Sequence, residues 1–277
     1  MLISTRIKFS FYTVIVLLFC NSCKDDTTVS CYDVELDNPN VILVVGQSNT
    51  HAGFGLDPNM DISEDGIYQL GRFENNHCII QATEPLDHHT KSEGRIGFAL
   101  TFAKLLKQHQ QNQHDILIVP CGSGGTGFSD NRWNKADDLY KDAVNRMNSV
   151  TEKYPEGEVV TILWHQGETD VFLGNQNYQD DLDTFISDLR NDLGDDSIPF
   201  ILGGMVPYWV EQAGNRQQQQ QIINETPDRL GMVGYADPTF PTVIDKTDNT
   251  YDEIHFDAAG QRERGQRYFQ QFLLLTE

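Results

Sequence analysis

The chain has 277 residues, of which 39% are hydrophobic, 10% aromatic and 22% charged, enough apolar surface for one large or two small folded domains and too much for a chain disordered throughout. Its 41 acidic against 20 basic side chains give a net charge of −21, a field that repels phosphate backbones and anionic headgroups and argues against nucleic acid as a partner.

At the start, Arg6 and Lys8 precede an apolar stretch over residues 9–20, broken by Ser10 and Thr13 and shorter than the roughly 20 apolar residues of a membrane span. It ends in Cys20-Asn21-Ser22-Cys23, which resembles the cleavage box of bacterial lipoproteins. On that reading residues 1–22 are a signal peptide, Cys23 is the lipidated first residue, and Lys24-Asp25-Asp26 resembles an acidic tag that sends some Gram-negative lipoproteins to the outer face. The alternatives are an ordinary secretory signal cut elsewhere or an anchor left uncut. Residues 23–38 are polar and acidic and read as a tether to a domain over 39–277. The expected location is the outer membrane, at the cell surface or facing the periplasm, with the lipid anchor as the only membrane contact. Cys31, Cys78 and Cys121 then remain, allowing one disulfide at most with the pair left open by spacing, and no CxxC or Cys/His cluster suggests a metal.

The domain begins with a continuous apolar run over 41–45, as a strand buried on both faces requires. Residues 50–95 show little periodicity and read as a long decorated loop. Phe98, Ala99, Phe102, Ala103 and Leu106 have helical spacing, and a strand follows at 116–119. A second helix carries Leu139, Ala143, Met147 and Val150; a strand at 159–163 precedes a third helix carrying Tyr178, Leu182, Phe185, Ile186, Leu189 and Leu193. Further strands are expected at 200–202 and 232–235, with a solvated glutamine run at 217–221 between them and a closing helix over 258–275. Five strands alternating with helices imply a parallel sheet between helical layers, because parallel neighbours need crossovers, and sites in such sheets lie at the carboxyl ends of the strands.

Four strand-end or loop segments carry the groups that chemistry needs. After the first strand, Gly46-Gln47-Ser48-Asn49 offers a hydroxyl at a strand-to-loop turn. Ser48 and Asn49 would alternatively cap the next segment. Near the end, Asp252 precedes His255 by three residues, a spacing that lets a carboxylate orient an imidazole able to deprotonate a serine. The Gly122–Gly127 turn exposes backbone N–H groups suited to an oxyanion, and the segment Trp164-His165-Gln166-Gly167-Glu168-Thr169-Asp170 offers the Gln166 amide as a further donor. Gly122, Gly124 and Gly127 also match the dinucleotide fingerprint GxGxxG, but residues 128–134 do not open an amphipathic helix, so that reading is set aside. His88-His89 reads as a polar loop pair rather than a metal site.

In this order the four segments resemble the blocks of the SGNH-hydrolase superfamily, and specifically its sialate O-acetylesterase and acetylxylan-esterase branch, similar to carbohydrate esterase family 6: Gly46 to Asn49, Gly124-Gly125-Thr126, Trp164 to Asp170, and Asp252 with His255. The match spans about residues 41–272. The resemblance implies a three-layer α/β/α sandwich, flavodoxin-like, around a mainly parallel five-stranded sheet. It also implies hydrolysis of acetyl esters on carbohydrates, with no metal or organic cofactor. Carried over by position, Ser48 is the nucleophile, His255 the base and Asp252 its orienting acid. The oxyanion donors are the Ser48 N–H, Gly124 or Gly125, and Gln166, which stands where the wider superfamily has asparagine. Asn49, Trp133, Glu168 and Trp209 are expected to contact substrate, acetylated xylan-type glycan or sialic acid. The rival readings are a non-catalytic glycan-binding lipoprotein and a lipase or phospholipid esterase of the same superfamily.

Overall fold

A computed structural model of the chain describes residues 34–244 and 252–277; the expected signal peptide, Cys23 and Cys31 lie outside the described residues. In chain order the elements are β1 (Asn40–Gly46), β2 (Gly53–Phe54), β3 (Ile67–Leu70), β4 (Ile79–Gln81), β5 (Arg95–Ile96), α1 (Ala99–His109), β6 (Ile116–Pro120), α2 (Asp138–Lys153) and β7 (Glu158–His165). They continue with α3 (Glu168–Leu173), α4 (Tyr178–Leu193), β8 (Phe200–Gly203), α5 (Pro207–Glu211), α6 (Gly214–Asn224), α7 (Thr226–Arg229), β9 (Val233–Ala236) and α8 (Ala258–Thr276).

Every residue of β1 is buried, because the strand sits in mid-sheet with helices on both sides. Its alternate side chains serve different cores. Val41, Leu43 and Val45 pack in the layer of Leu139 and Met147 from α2 and Phe185 from α4, whereas Ile42 and Val44 pack in the layer of Phe102 from α1 and Phe272 from α8. Fully burying each such side chain stabilises the fold by roughly 1.5–3 kcal/mol, so β1 anchors both layers. These layers give the α/β/α sandwich.

Among the described residues the sheet has seven strands, not five, in the order β4-β3-β6-β1-β7-β8-β9. The five expected strands are β1, β6, β7, β8 and β9, all parallel to their neighbours. The two others come from the stretch read as irregular: β3 pairs parallel with β6, and β4 runs antiparallel to β3 at the edge. With four and three residues they are too short to show periodicity, and only pairing, of β3 with β6 and of β4 with β3, makes them strands. The same stretch contributes β2, which pairs with β5 in a separate two-stranded ribbon. The glutamine run lies in α6; Gln219 is buried, and Gln220 bonds both the Met205 N–H and the Tyr235 hydroxyl, so that helix is less solvated than expected. Cys121 is a free, buried thiol, and Cys78 is disulfide-bonded.

Candidate active site

After β1 the chain adds β3 and β6 on one side of that strand and β7, β8 and β9 on the other. The loops leaving β1, β6 and β7 therefore diverge at their carboxyl ends and open a crevice. Gly46 closes β1 there at φ 122°, and a Cβ on it would lie 2.0 Å from the His165 carbonyl oxygen at the end of β7. Only glycine allows that approach. The next residue, Gln47, donates its N–H to the same carbonyl at 2.7 Å, and Ser48 then opens a short 3-10 turn, Ser48–Thr50, that leads its side chain into the crevice.

His255 arrives from the far end of the chain. Its Nε2 is 2.7 Å from Ser48 Oγ and its Nδ1 is 2.7 Å from Asp252 Oδ2. The other carboxylate oxygen, Asp252 Oδ1, accepts from the Ile254 N–H at 3.2 Å and the His255 N–H at 3.1 Å, which fixes the carboxylate to the backbone of the segment it serves. A carboxylate can only accept, so the neutral imidazole carries its hydrogen on Nδ1 and presents a bare Nε2 to the serine hydroxyl. Asp257, two residues on, caps α8 by accepting from the Gly260 N–H at 2.7 Å and pairs through its backbone with Phe54 of β2. Beside the base, His51 is pushed down to about 3, by burial first and then by His255 and Arg95. It adds no positive charge next to the reacting ring at neutral pH.

The two glycines that follow β6 differ. Gly124 already donates its N–H to Thr90 Oγ1 at 2.9 Å, whereas Gly125, at φ 68°, lines the cavity and its N–H has no acceptor among the described residues. The Ser48 N–H likewise has none there. Gln166 departs from its expected role, being fully buried with Nε2 donating to Asp170 Oδ2 at 2.7 Å and approaching Gln47 Oε1 at 3.3 Å. Its amide hydrogens are thus engaged inside the protein. Asp170 also accepts from the N–H groups of Phe128 and Ser129, both at 2.9 Å, and so ties the segment after the glycine turn to α3.

The aromatic and polar residues expected at the substrate are mostly beneath it. Trp133 is fully buried, edge-on to Trp164 at 5.4 Å, with Nε1 donating to Thr126 Oγ1 at 2.9 Å: it is a core residue, and no ring face is free for a sugar. Trp209 is 2% exposed and lies between Arg216 and Phe172. Asn49 and Glu168 are 0% and 1% exposed and bond one another; Asn49 braces the site from below, and Glu168 lies in the floor of the cavity. The exposed apolar surface at the crevice comes from a pair that sequence reading missed, Phe172 and Leu173 at the end of α3, 62% and 54% exposed. With Ser48, Gly125, Ile254 and His255 they line a cavity of about 360 Å³. Their only sequence signal is position, a few residues past the end of β7. A larger cavity of about 590 Å³ lies at the opposite, amino-terminal end of the strands, near Asn40, Glu158 and Pro199; its Ser197 hydroxyl donates to Asp195 Oδ1 at 2.6 Å and is not paired with a histidine base.

His88 and His89 lie in the loop between β4 and β5 as expected, but His88 is fully buried there, accepting from the Gly122 N–H through Nδ1 and stacked on His51, while His89 pairs with Asp142 at 3.0 Å. Among the described residues no three His, Cys, Asp or Glu side chains converge as metal ligands.

The model of the family described as carbohydrate esterase, sialic acid-specific acetylesterase, matches residues 38–274. The chain is 27% identical to a protein of Escherichia coli (strain K12) named as a probable 9-O-acetyl-N-acetylneuraminic acid deacetylase, across 62% of this chain and 68% of that one. It is 32% identical to a probable carbohydrate esterase of Arabidopsis thaliana, across 44% of this chain and 47% of the relative. Among solved structures, NanS shares the fold with a TM-score of 0.75 at 21% identity, covering 87% of this chain and 98% of the other. An Arabidopsis thaliana protein gives 0.70 at 25% identity, covering 85% and 98%. A carbohydrate acetylesterase from Xanthomonas citri gives 0.59 at 18% identity, covering 85% and 56%.

Proposed function

The chain belongs to the carbohydrate esterase, sialic acid-specific acetylesterase family, and on that premise we propose that Ser48, His255 and Asp252 carry its hydrolysis of carbohydrate acetyl esters in two acyl-transfer steps. The observation that carries the assignment is the unbroken chain Ser48 Oγ, His255 Nε2, His255 Nδ1, Asp252 Oδ2, with both links at 2.7 Å. In the first step Ser48 Oγ attacks the acetyl carbonyl while His255 Nε2 takes its proton. The tetrahedral intermediate collapses as His255 returns that proton to the departing sugar oxygen. Water, deprotonated by the same nitrogen, then attacks the acetyl-serine and releases acetate. Asp252 holds the ring and stabilises the charge that appears on it.

The developing oxyanion is received by the N–H groups of Ser48 and Gly125, which line the cavity and have no acceptor among the described residues. Gly124 adds a third donor only where Thr90 turns away from it. For the sugar, the described cavity lining contains no Lys or Arg, Phe172 and Leu173 offer apolar faces, and the whole chain is strongly acidic. These features support a neutral acetylated glycan of the xylan type over a sugar acid, whose carboxylate would find no cation there.

The test is acetate release from acetylated xylan, mannan, pectin and sialoglycan, with Ser48→Ala as the control. Wild type should release acetate and lose activity sharply from acetyl to longer acyl esters, and the serine variant should be inactive. Wild-type rates in Ser48→Ala would sink the mechanism, and a preference for the sialoglycan would sink the neutral-substrate reading. A glycan-binding protein without catalysis would bind equally well with or without Ser48 and release no acetate. Export and lipid anchoring at Cys23 belong to this proposal on sequence grounds, and fractionation of Cys23→Ala away from membranes is the corresponding check.

A further inference from the structure

One residue ties the turn that carries the nucleophile to the segment that carries the base. Asn49 follows Ser48 within the same 3-10 turn, and its carboxamide reaches the segment that carries His255. Asn49 Nδ2 donates to the Ile254 carbonyl at 2.8 Å, and Asn49 Oδ1 accepts from the Phe256 N–H at 3.1 Å. The two bonds straddle His255, one residue on either side, as the paired bonds of a strand bridge would. The second Nδ2 hydrogen goes to Glu168 Oε1 at 2.7 Å. That bond makes the orientation unique, since a flipped amide would set its oxygen against both the Glu168 carboxylate and the Ile254 carbonyl.

Glu168 is fixed in turn. Its Oε1 also accepts from His165 Nε2 at 3.0 Å, and Arg264 Nη2 donates to His165 Nδ1 at 2.6 Å, which leaves that ring neutral with its hydrogen on Nε2. Burial acts first to lower His165 and, alone, would raise Glu168, but the imidazole and the Asn49 amide outweigh it and keep the carboxyl low. From α8, Arg264 Nη1 and Gln261 Nε2 hold the Asn49 carbonyl at 2.9 and 3.1 Å. Asn49, His165, Glu168 and Arg264 are at most 2% exposed, so no water competes for these bonds.

We infer that Asn49 is a positioning residue that sets the separation of Ser48 from His255, and that Glu168 orients it. The inference rests on the proposed catalytic roles of that pair. Misplacing a reacting group by about 1 Å costs on the order of 100-fold, and neither Asn49 hydrogen-bonding atom faces the cleft. Asn49→Ala should therefore lower kcat on p-nitrophenyl acetate about 100-fold with KM within about threefold. The Glu168 pair supplies the second arm. Glu168→Ala should lose kcat similarly, while Glu168→Gln should recover most of it, because an amide oxygen at Oε1 still accepts from Asn49 and His165, and the Oε2 it replaces has no hydrogen-bond partner.

Folded Asn49→Ala with kcat within threefold of wild type overturns the inference, as does a rise in KM at unchanged kcat. So does Glu168→Gln as slow as Glu168→Ala, the result a merely structural role for the charge would give. Where Asn49→Ala fails to fold, the Glu168 pair decides. Ser48→Ala, run alongside, separates the two levels: an active Ser48→Ala refutes the catalytic reading, whereas an inactive one beside an unimpaired Asn49→Ala refutes only the positioning role.

Discussion

Replacing Asp252 by asparagine is the sharpest probe of the proposed relay, because the backbone around it dictates how the amide must lie. Asp252 Oδ1 accepts two N–H groups, from Ile254 and His255, while Oδ2 faces the ring. In Asp252→Asn the amide oxygen stays on those two donors, since turning it would oppose N–H groups to N–H groups, and the amide nitrogen is left facing His255 Nδ1. That nitrogen must then accept. The imidazole hydrogen moves to Nε2, where it blocks acceptance from Ser48. Lost charge adds to the lost tautomer: at an effective dielectric near 20 a pair of unit charges about 4 Å apart is worth about 4 kcal/mol, and about 1 kcal/mol in water. Asp252 and His255 side chains are 22% and 21% exposed, which places this pair between those limits. The charge contribution alone is thus about 5-fold to 1,000-fold in rate. The amide-for-carboxylate exchange in a serine–histidine–aspartate triad costs about 10⁴-fold. We expect kcat on p-nitrophenyl acetate to fall about 10³- to 10⁴-fold in Asp252→Asn, and no further in Asp252→Ala, which removes the charge without imposing the wrong tautomer. Retention of a tenth of wild-type kcat by Asp252→Asn would refute the tautomer argument and, with it, the role of Asp252.

Two further outcomes follow from burial and exposure. Below pH 6.5 the unfolded chain gains protons on His51, His88 and His165, all held low in the folded state chiefly by burial, while Glu84, pushed up by burial to about 7, releases one. The histidine contributions are present above pH 6.5 and lost as pH falls, the Glu84 contribution is lost as pH rises through 7, and because more histidines than carboxyls shift in this range, stability should fall from pH 6 to 5; denaturant titrations showing constant or rising stability there would contradict it. Phe172→Ala should raise KM for an acetylated oligosaccharide about 2- to 10-fold, the worth of one ring contact, with kcat/KM for p-nitrophenyl acetate moving less; equal losses on both substrates would remove Phe172 from sugar recognition.

The parts of this molecule legible in its sequence are those whose physics is local. The run over 41–45 announces a strand buried on both faces because five consecutive apolar residues leave no polar side to expose, and the spacing of Asp252 and His255 announces their bond because three residues of chain already place the two side chains together. Short edge strands such as β4 say little, since their identity is conferred by a partner remote in sequence. The errors at the site have the same origin. Trp133 and Glu168 have the side chains a sugar site uses, but exposure is decided by packing: Phe185 and Trp164 close over Trp133, and Asn49 with His165 encloses Glu168.

The division has a physical consequence for how such a site is built. Ser48 and His255 are 207 residues apart, and a hydrogen bond between them contributes only about 0.5–1.5 kcal/mol, too little to hold two loop ends against their own entropy. The register comes instead from buried contacts around the pair: the close approach of Gly46 to His165, the Asn49 carboxamide on either side of His255, and Asp257 capping α8 while bridging to Phe54. Each is made by a residue within two positions of a reacting one, so the segments that supply the chemistry also carry their own fixings to the sheet. The nucleophile and base can then remain partly exposed to substrate, because the bonds that fix their distance are dry.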